Sequence, residues 1–190
     1  MHGVIFLELN RFAVSRLGSA AWADVVQSAG LTQSVYLPTQ LYPDADLLGI
    51  VSALSRRMNL EPSQILEEFG VYIVPSLATL YAALIDADWT LLDLLEHTET
   101  TIHRVVRIRA PGAAPPQIKC SRLGPTEAEI LYTSERKLCA FARGIIRGLA
   151  RLYEESATIT EPDCMRRGQP FCRLLVKTGV PKPRRPRGNP

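Results

Sequence analysis

Histidine is the side chain in this sequence best suited to bind a metal at neutral pH, and it occurs at three positions. His2 lies at the N-terminus and is assigned no role. His97 and His103 both fall on one predicted helix, Thr90 to Arg109. Helical periodicity places His103 at the edge of the apolar face, beside Val106, whereas His97 lies nearer the polar side. The pattern favours His103 as the inward-facing residue, but only weakly.

A second polar group stands in the run Tyr132-Thr133-Ser134-Glu135-Arg136, at a predicted junction between a strand and a helix. Tyrosine and serine hydroxyls donate hydrogen bonds, and arginine offers a planar fork that matches a carboxylate bidentately. These side chains could therefore bind an acidic ligand, or they could merely cap the helix. The pattern alone does not decide, because it arises by chance in many chains.

Four cysteines, Cys120, Cys139, Cys164 and Cys172, are the remaining candidates for chemistry. Without a secretory leader, cysteines are expected to be reduced thiols or metal ligands rather than a disulfide framework. The spacing of the last three is not that of a zinc ribbon. The sequence alone favours buried thiols that pack as small hydrophobes, and Cys120 in particular is predicted to be a packing residue.

The elements that must position these residues begin with a helical half. Apolar residues recur there at helical spacing, in stretches that end near glycine or asparagine. The predicted helices cover residues 5–17, 20–29, 44–59, 61–70, 75–85 and 90–109, and the last of them stops before Pro111-Gly112.

The second half of the chain reads differently. Residues 117–122 and 127–133 predict one β-hairpin, and residues 157–160 and 171–177 predict another. A helix over residues 135–155 separates the two hairpins. Because helices come first and hairpins follow, the expected fold class is α+β.

Composition limits the classes of function. Hydrophobic residues make up 46% of the 190 positions, enough for a core that could enclose a ligand. The net charge of +3 is too small to indicate nucleic acid as the main partner. We expect one domain over residues 1–178 and a disordered basic, proline-rich tail over residues 179–190.

The N-terminus is apolar, but it lacks a basic leader and a small-residue cleavage site. The sequence also has no apolar run of about 18 residues that could span a membrane. A cytoplasmic protein with no membrane partner is therefore the expectation.

The order and approximate spacing of these motifs resemble the haem-nitric oxide/oxygen binding (H-NOX) family. In that family the proximal histidine lies on a helix that runs into a Pro/Gly segment, as His103 precedes Pro115-Pro116 here, and a Tyr-x-Ser-x-Arg signature follows, as at Tyr132 to Arg136. The similarity covers essentially residues 1 to 177 and includes Met1 to Phe6, Tyr42-Pro43-Asp44, Phe69-Gly70 and a later helix that contains Gly144.

The resemblance implies an H-NOX fold, with haem b buried between a helical N-terminal half and a C-terminal half that contains a four-stranded antiparallel sheet. It implies that His103 is the axial ligand of the iron. The propionate-binding residues would be Tyr132, Ser134 and Arg136, and Pro116 would press on the haem and distort it.

The resemblance also implies which residues line the distal side, where a gas would bind. These positions are Ile5, Leu9, Ile73 and Phe141, and all four side chains are apolar. Bound O2 is held by a hydrogen-bond donor, whereas NO and CO need none. The expected ligands are therefore NO and CO, with O2 excluded, and Tyr72 and Tyr81 are the residues that could supply an overlooked donor.

Some family members bind zinc through three cysteines and a histidine. The matching positions here are Cys139, Cys164 and Cys172, with Glu161 in place of the histidine. Because carboxylate joins thiolate-rich zinc sites less typically than imidazole does, zinc and an oxidisable thiol cluster both remain open.

In this family NO binding weakens the bond between iron and histidine, and the two halves of the domain shift. A partner protein such as a histidine kinase or a cyclic-di-GMP enzyme reads that shift. The resemblance therefore implies a gas sensor and not an enzyme. The alternative is a haem-free small-molecule, redox-responsive or zinc-responsive interaction module of the same fold.

Overall fold

The helical half of the chain leads into an antiparallel sheet. The structure is a computed structural model that describes residues 1–179, so the predicted tail lies, apart from Gly179, outside the described residues. The first helices are α1 (Gly3–Leu17), α2 (Ala21–Ser28), α3 (Asp44–Met58) and α4 (Pro62–Leu80). Phe6, Phe12 and Phe69 lie at the centre of their shared core. No helix within residues 1–179 is long and apolar enough to cross a membrane.

Helix α4 corrects one prediction. The sequence indicated two helices separated near Gly70, but a single helix runs from Pro62 to Leu80 with Pro75 inside it. Gly70 does not end the helix. A Cβ at that position would lie 2.4 Å from the carbonyl oxygen of Phe141, so glycine is required for close packing against a later helix.

The predicted helix over residues 90–109 is also interrupted. It consists of α5 (Leu91–His97), a π-helical turn (Glu99–His103) and α6 (Arg104–Arg109). The His103 amide donates to the carbonyl of Thr98 at 3.0 Å, one residue beyond α-helical spacing. The hydroxyls of Thr98 and Thr101 donate to carbonyls of the preceding turn at 2.7 Å and 2.6 Å, which gives the backbone a competing set of partners.

The sheet confirms the predicted α+β class. Its strands are β1 (Gln117–Gly124), β2 (Glu127–Thr133), β3 (Ala157–Asp163) and β4 (Cys172–Thr178), all antiparallel in the order β1-β2-β4-β3. Helix α7 (Cys139–Leu152) begins four residues later than predicted. The Ser134 hydroxyl accepts from the Arg136 amide at 3.3 Å, and Lys137 has a φ of 50°, so the intervening segment forms a turn.

Helix α7 packs on both halves of the molecule. On one side Ile146 and Ala150 join the core under the sheet with Leu174. On the other side α7 crosses α4 at close range, because a Cβ at Gly144 would lie 2.1 Å from the Glu67 carbonyl oxygen. The crossing brings the two backbones together where the side chain of Phe141 meets α4.

Candidate functional site

His103 lies in the π-helical turn with 14% of its side chain exposed. Its Nδ1 donates to Glu99 Oε2 at 3.0 Å. Burial lowers the pKa of His103 and outweighs the hydrogen bonds with Glu99 and with the backbone of Pro116, which act in the opposite direction. The ring is therefore neutral at pH 7, the charge state in which imidazole binds a metal.

His97 has a different set of contacts. Its Nδ1 donates to the backbone carbonyl of Asp93 at 2.8 Å, and its ring stacks on Trp89 with centroids 4.6 Å apart. These contacts account for His97 as a residue that ties α5 to the preceding segment. Of the two histidines on this stretch, His103 is the one with a carboxylate partner.

The apolar side chains beside His103 are only partly covered by the rest of the protein. In α5 the leucines 91, 92, 94 and 95 are buried, but in the following described residues, 99–109, none is. Ile102, Val105 and Val106 are half-buried, and Ile108 is 67% exposed. Uncovered apolar surface costs free energy in water, so this stretch is suited to contact an apolar ligand.

The Tyr-x-Ser-x-Arg group lies at the junction of β2 and α7. Tyr132 is buried, and burial raises its pKa to about 12, although a hydrogen bond with Ser134 acts against the shift. Arg136 donates from Nε to Asp44 Oδ2 at 2.6 Å and from Nη1 to the carbonyl of Ala114. Its guanidinium borders a cleft of about 220 Å³ whose lining includes Asp44, Leu47, Leu48, Glu135, Arg136 and Leu138.

One short segment contacts both polar groups. Arg136 donates to the carbonyl of Ala114, and the backbone of Pro116 hydrogen-bonds with His103. The loop before β1 therefore contacts the Arg136 guanidinium at Ala114 and the His103 imidazole at Pro116, only two positions further along the chain.

The four positions expected on the distal side are apolar and lie close to the α1–α4–α7 core. Leu9 and Ile73 have no exposed surface, whereas Ile5 and Phe141 are half-buried. The Phe141 ring stacks on Phe69 at 5.1 Å between centroids. None of these side chains can donate a hydrogen bond.

Tyr72 and Tyr81 are the two tyrosines that could supply an overlooked donor. Tyr72 is 36% exposed, and its ring meets Phe12 edge to face at 5.5 Å. Tyr81 follows the last residue of α4, where burial raises its pKa. Tyr72 and the fully buried Ile73 are adjacent on α4, so their side chains leave the helix in different directions.

The three cysteines of the second half come together in space. Cys139 Sγ lies 3.5 Å from Cys164 Sγ, which lies 3.8 Å from Cys172 Sγ. With a carboxylate oxygen of Glu161 they form a group whose ligand atoms all lie within 4.8 Å of one another. Burial raises the pKa of the Cys139 thiol, and it raises that of Cys172 to about 11, so both thiols are protonated at neutral pH without a metal.

Glu161 has two oxygens in different surroundings. Oε2 accepts from Arg143, which also donates to Glu67 of α4 at 3.1 and 3.2 Å. Oε1 is buried and has no hydrogen-bond partner among the described residues. A buried carboxylate oxygen without a partner is costly, and one placed beside three thiols is a candidate metal ligand. Cys120 is half-buried and packs against the core under the sheet.

Three residues of these sites were not predicted from the sequence. Glu99 stands four positions before His103, which is the helical spacing of facing side chains and could have been noticed. Asp44 and Arg143 have no such signal, because Arg136 and Glu67, their respective partners, are distant in the sequence.

The fold and site define an α+β domain with a half-buried, neutral histidine and partly covered apolar surface beside it. The haem-NO-binding (HNOB, or H-NOX) family model matches residues 2–161, and the chain belongs to this family. No curated protein matches the chain at a significant level.

Solved structures share the fold. The H-NOX protein from S. oneidensis in its Fe(II)NO state is similar with a TM-score of 0.88 and 24% identity, over 94% of this chain and 99% of that chain. The unliganded Fe(II) H-NOX protein from K. algicida has a TM-score of 0.86 at 19% identity, over 94% and 97% of the two chains. The I5F mutant of T. tengcongensis H-NOX has a TM-score of 0.81 at 20% identity, over 94% and 96%.

Proposed function

We propose that this protein is a haem-based gas sensor that binds NO and CO and excludes O2. The observation that carries the proposal is His103, a half-buried neutral imidazole held at Nδ1 by the Glu99 carboxylate beside partly covered apolar surface. Family membership and the S. oneidensis structures with bound NO and CO support it.

The chemistry of the residues fits haem. When bound, ferrous haem would supply an iron that binds a diatomic gas. His103 would hold that iron, and Pro116 would contact the group. Tyr132, Ser134 and Arg136 would hold the propionates, and Arg136 would share its guanidinium between a propionate and Asp44.

The distal residues support exclusion of O2. Leu9, Ile73 and Phe141 are apolar side chains that offer no hydrogen-bond donor, and Ile5 adds a fourth. A gas that needs a hydrogen bond to remain bound gains nothing from these side chains, whereas NO and CO do not depend on one.

The optical spectrum of the reduced protein tests the function directly. We expect shifts of the main haem band on addition of NO and of CO, and no stable oxy complex when the ferrous protein is exposed to air. Phe141→Tyr places a hydroxyl on the distal wall and should strengthen O2 binding about tenfold or somewhat more, since a hydrogen bond contributes about 1 kcal/mol and more in a dry pocket. Phe69→Tyr, at the stacked neighbouring ring, is the matched control.

A stable oxy spectrum of the unmodified ferrous protein in air would overturn the exclusion of O2. A chain that is purified without colour, and takes up no haem when it is supplied, would overturn the sensor and favour the haem-free interaction module. The proposal includes no enzymatic activity. A sensor domain acts through a partner, which we propose is a histidine kinase or a cyclic-di-GMP enzyme in the cytoplasm.

A second proposed ligand is zinc, bound by Cys139, Cys164, Cys172 and Glu161. Three thiol sulfurs and one carboxylate oxygen match the number and type of ligands in a structural zinc site. The unpartnered Oε1 of Glu161 supports this assignment, because a metal would satisfy it.

Elemental analysis of reduced protein should find up to one zinc per chain. Cys164→Ser should lose it, whereas Cys120→Ser, the matched control outside the cluster, should retain it. Glu161→His should hold zinc more tightly in competition with a chelator, because imidazole is the more typical fourth ligand. Equal zinc in the Cys164→Ser and Cys120→Ser variants would contradict the site.

A further inference from the structure

Glu99 is held by donors from three parts of the chain. Its Oε2 accepts from His103 Nδ1 at 3.0 Å and from the Ile118 amide of β1 at 3.1 Å. Its Oε1 accepts from Arg107 Nη2 of α6 at 2.6 Å. Both oxygens are therefore engaged, and the orientation of the carboxylate is determined by helix and sheet together.

The π-helical turn positions both residues of the Glu99–His103 contact. Glu99 and His103 are the first and last residues of that turn, and His103 follows Glu99 by four positions. The Thr98 and Thr101 hydroxyls hold the preceding carbonyls. Rotation of the imidazole would break the bond to Oε2, so the carboxylate fixes the direction in which Nε2 points.

Both Glu99 oxygens act as acceptors in this environment, because the Arg107 guanidinium and the Ile118 amide can only donate. The proton shared with His103 therefore lies on the His103 Nδ1. A carboxylate that accepts from one imidazole nitrogen increases the basicity of the other and strengthens its bond to a metal.

We propose that Glu99 is a positioning residue that fixes the orientation of His103 and sets the strength of its bond to iron, with Arg107 as the cation that moderates it. The inference rests on the proposed haem function. Arg107 shares the charge of the same carboxylate, so it limits how strongly Glu99 draws on the Nδ1 proton. The strength of the bond between His103 and iron would then depend on two side chains that are not themselves ligands.

A pair of variants separates this role from simple helix stabilisation. Glu99→Gln keeps the shape but removes the charge. The iron–histidine stretching band of the ferrous protein should move to lower frequency, and haem should transfer to apomyoglobin about tenfold faster or more. Arg107→Gln leaves the carboxylate charge unshared, so the band should move to higher frequency.

The matched control is Glu96→Gln, which removes a carboxylate three positions earlier that pairs with Arg122 at 3.3 Å instead of a histidine. It should change neither the band nor the transfer rate. Chemical unfolding measures the stability of the Glu99→Gln and Glu96→Gln variants. If the Glu99–His103 pair only stabilised the helix, Glu99→Gln would lower the free energy of unfolding and leave the band and the transfer rate unchanged.

The outcomes are distinguishable. Haem-loaded Glu99→Gln protein with the parental band and transfer rate would overturn this inference and leave the sensor function standing. If Arg107→Gln moved the band in the same direction as Glu99→Gln, the moderating role of Arg107 would be wrong. A parent chain that takes up no haem would overturn the proposed function and this inference with it.

Discussion

Replacing His103 by glycine should leave a protein that retains little haem in its ferrous form. Loss of a residue that merely supports a metal ligand typically costs about 10- to 100-fold in metal affinity, so removal of the ligand itself should cost about 100-fold or more. Added imidazole should restore the spectrum, because the space vacated by the side chain admits the free ring. Haem content and the ferrous spectrum, measured with and without imidazole, provide the test.

His97→Ala is the matched control on the same stretch of helix. His97 bonds to a backbone carbonyl and stacks on Trp89, so its loss should reduce stability and leave the ferrous spectrum unchanged. The axial assignment would be wrong if His97→Ala abolished the spectrum while His103→Gly kept it.

The choice between these histidines shows where sequence reasoning reaches its limit. Periodicity separated His97 and His103 only weakly, because six positions on one helix leave both rings near the boundary of the apolar face. The structure distinguishes them by contacts that periodicity does not contain. One ring is held by the carboxylate of Glu99, and the other by an aromatic ring that precedes the helix.

The helical first half, the two hairpins and the α+β class were predictable because apolar spacing differs between helices and strands. The continuation of α4 through Gly70 was not predictable, since glycine serves two purposes. It ends helices, and it also allows two backbones to approach, and only the second applies to Gly70. The partner that requires it, α7, lies far along the chain, so local sequence carries no sign of the contact.

The sequence identified the three cysteines, but it did not predict that their sulfur atoms lie close together. Spacing alone favoured separate packing roles for Cys139, Cys164 and Cys172. They meet because β3 and β4 pair as a hairpin that brings Cys164 and Cys172 beside the first turn of α7. The same group packs against Tyr132, so oxidation or metal binding at the thiols would act next to a residue proposed to hold a propionate.

Gly144→Ala should strongly destabilise the fold, because α4 and α7 cross where neither backbone has room for a methyl group. The added Cβ would lie 2.1 Å from the Glu67 carbonyl oxygen and 2.9 Å from the Gly70 Cα. Overpacking costs about 1–3 kcal/mol and sometimes more, and a clash with backbone belongs at the upper end, so it should exceed the gain of about 1 kcal/mol from alanine's helix propensity.

Gly49→Ala in α3 is the matched control: its Cβ would meet Ala29 atoms no nearer than 3.5 Å, so the propensity gain should remain. Urea unfolding of the haem-free proteins should therefore show a lower free energy of unfolding for Gly144→Ala and an equal or higher one for Gly49→Ala. If both variants unfolded at or above the parental midpoint, the close crossing would be wrong, and with it the placement of Phe141 against α4.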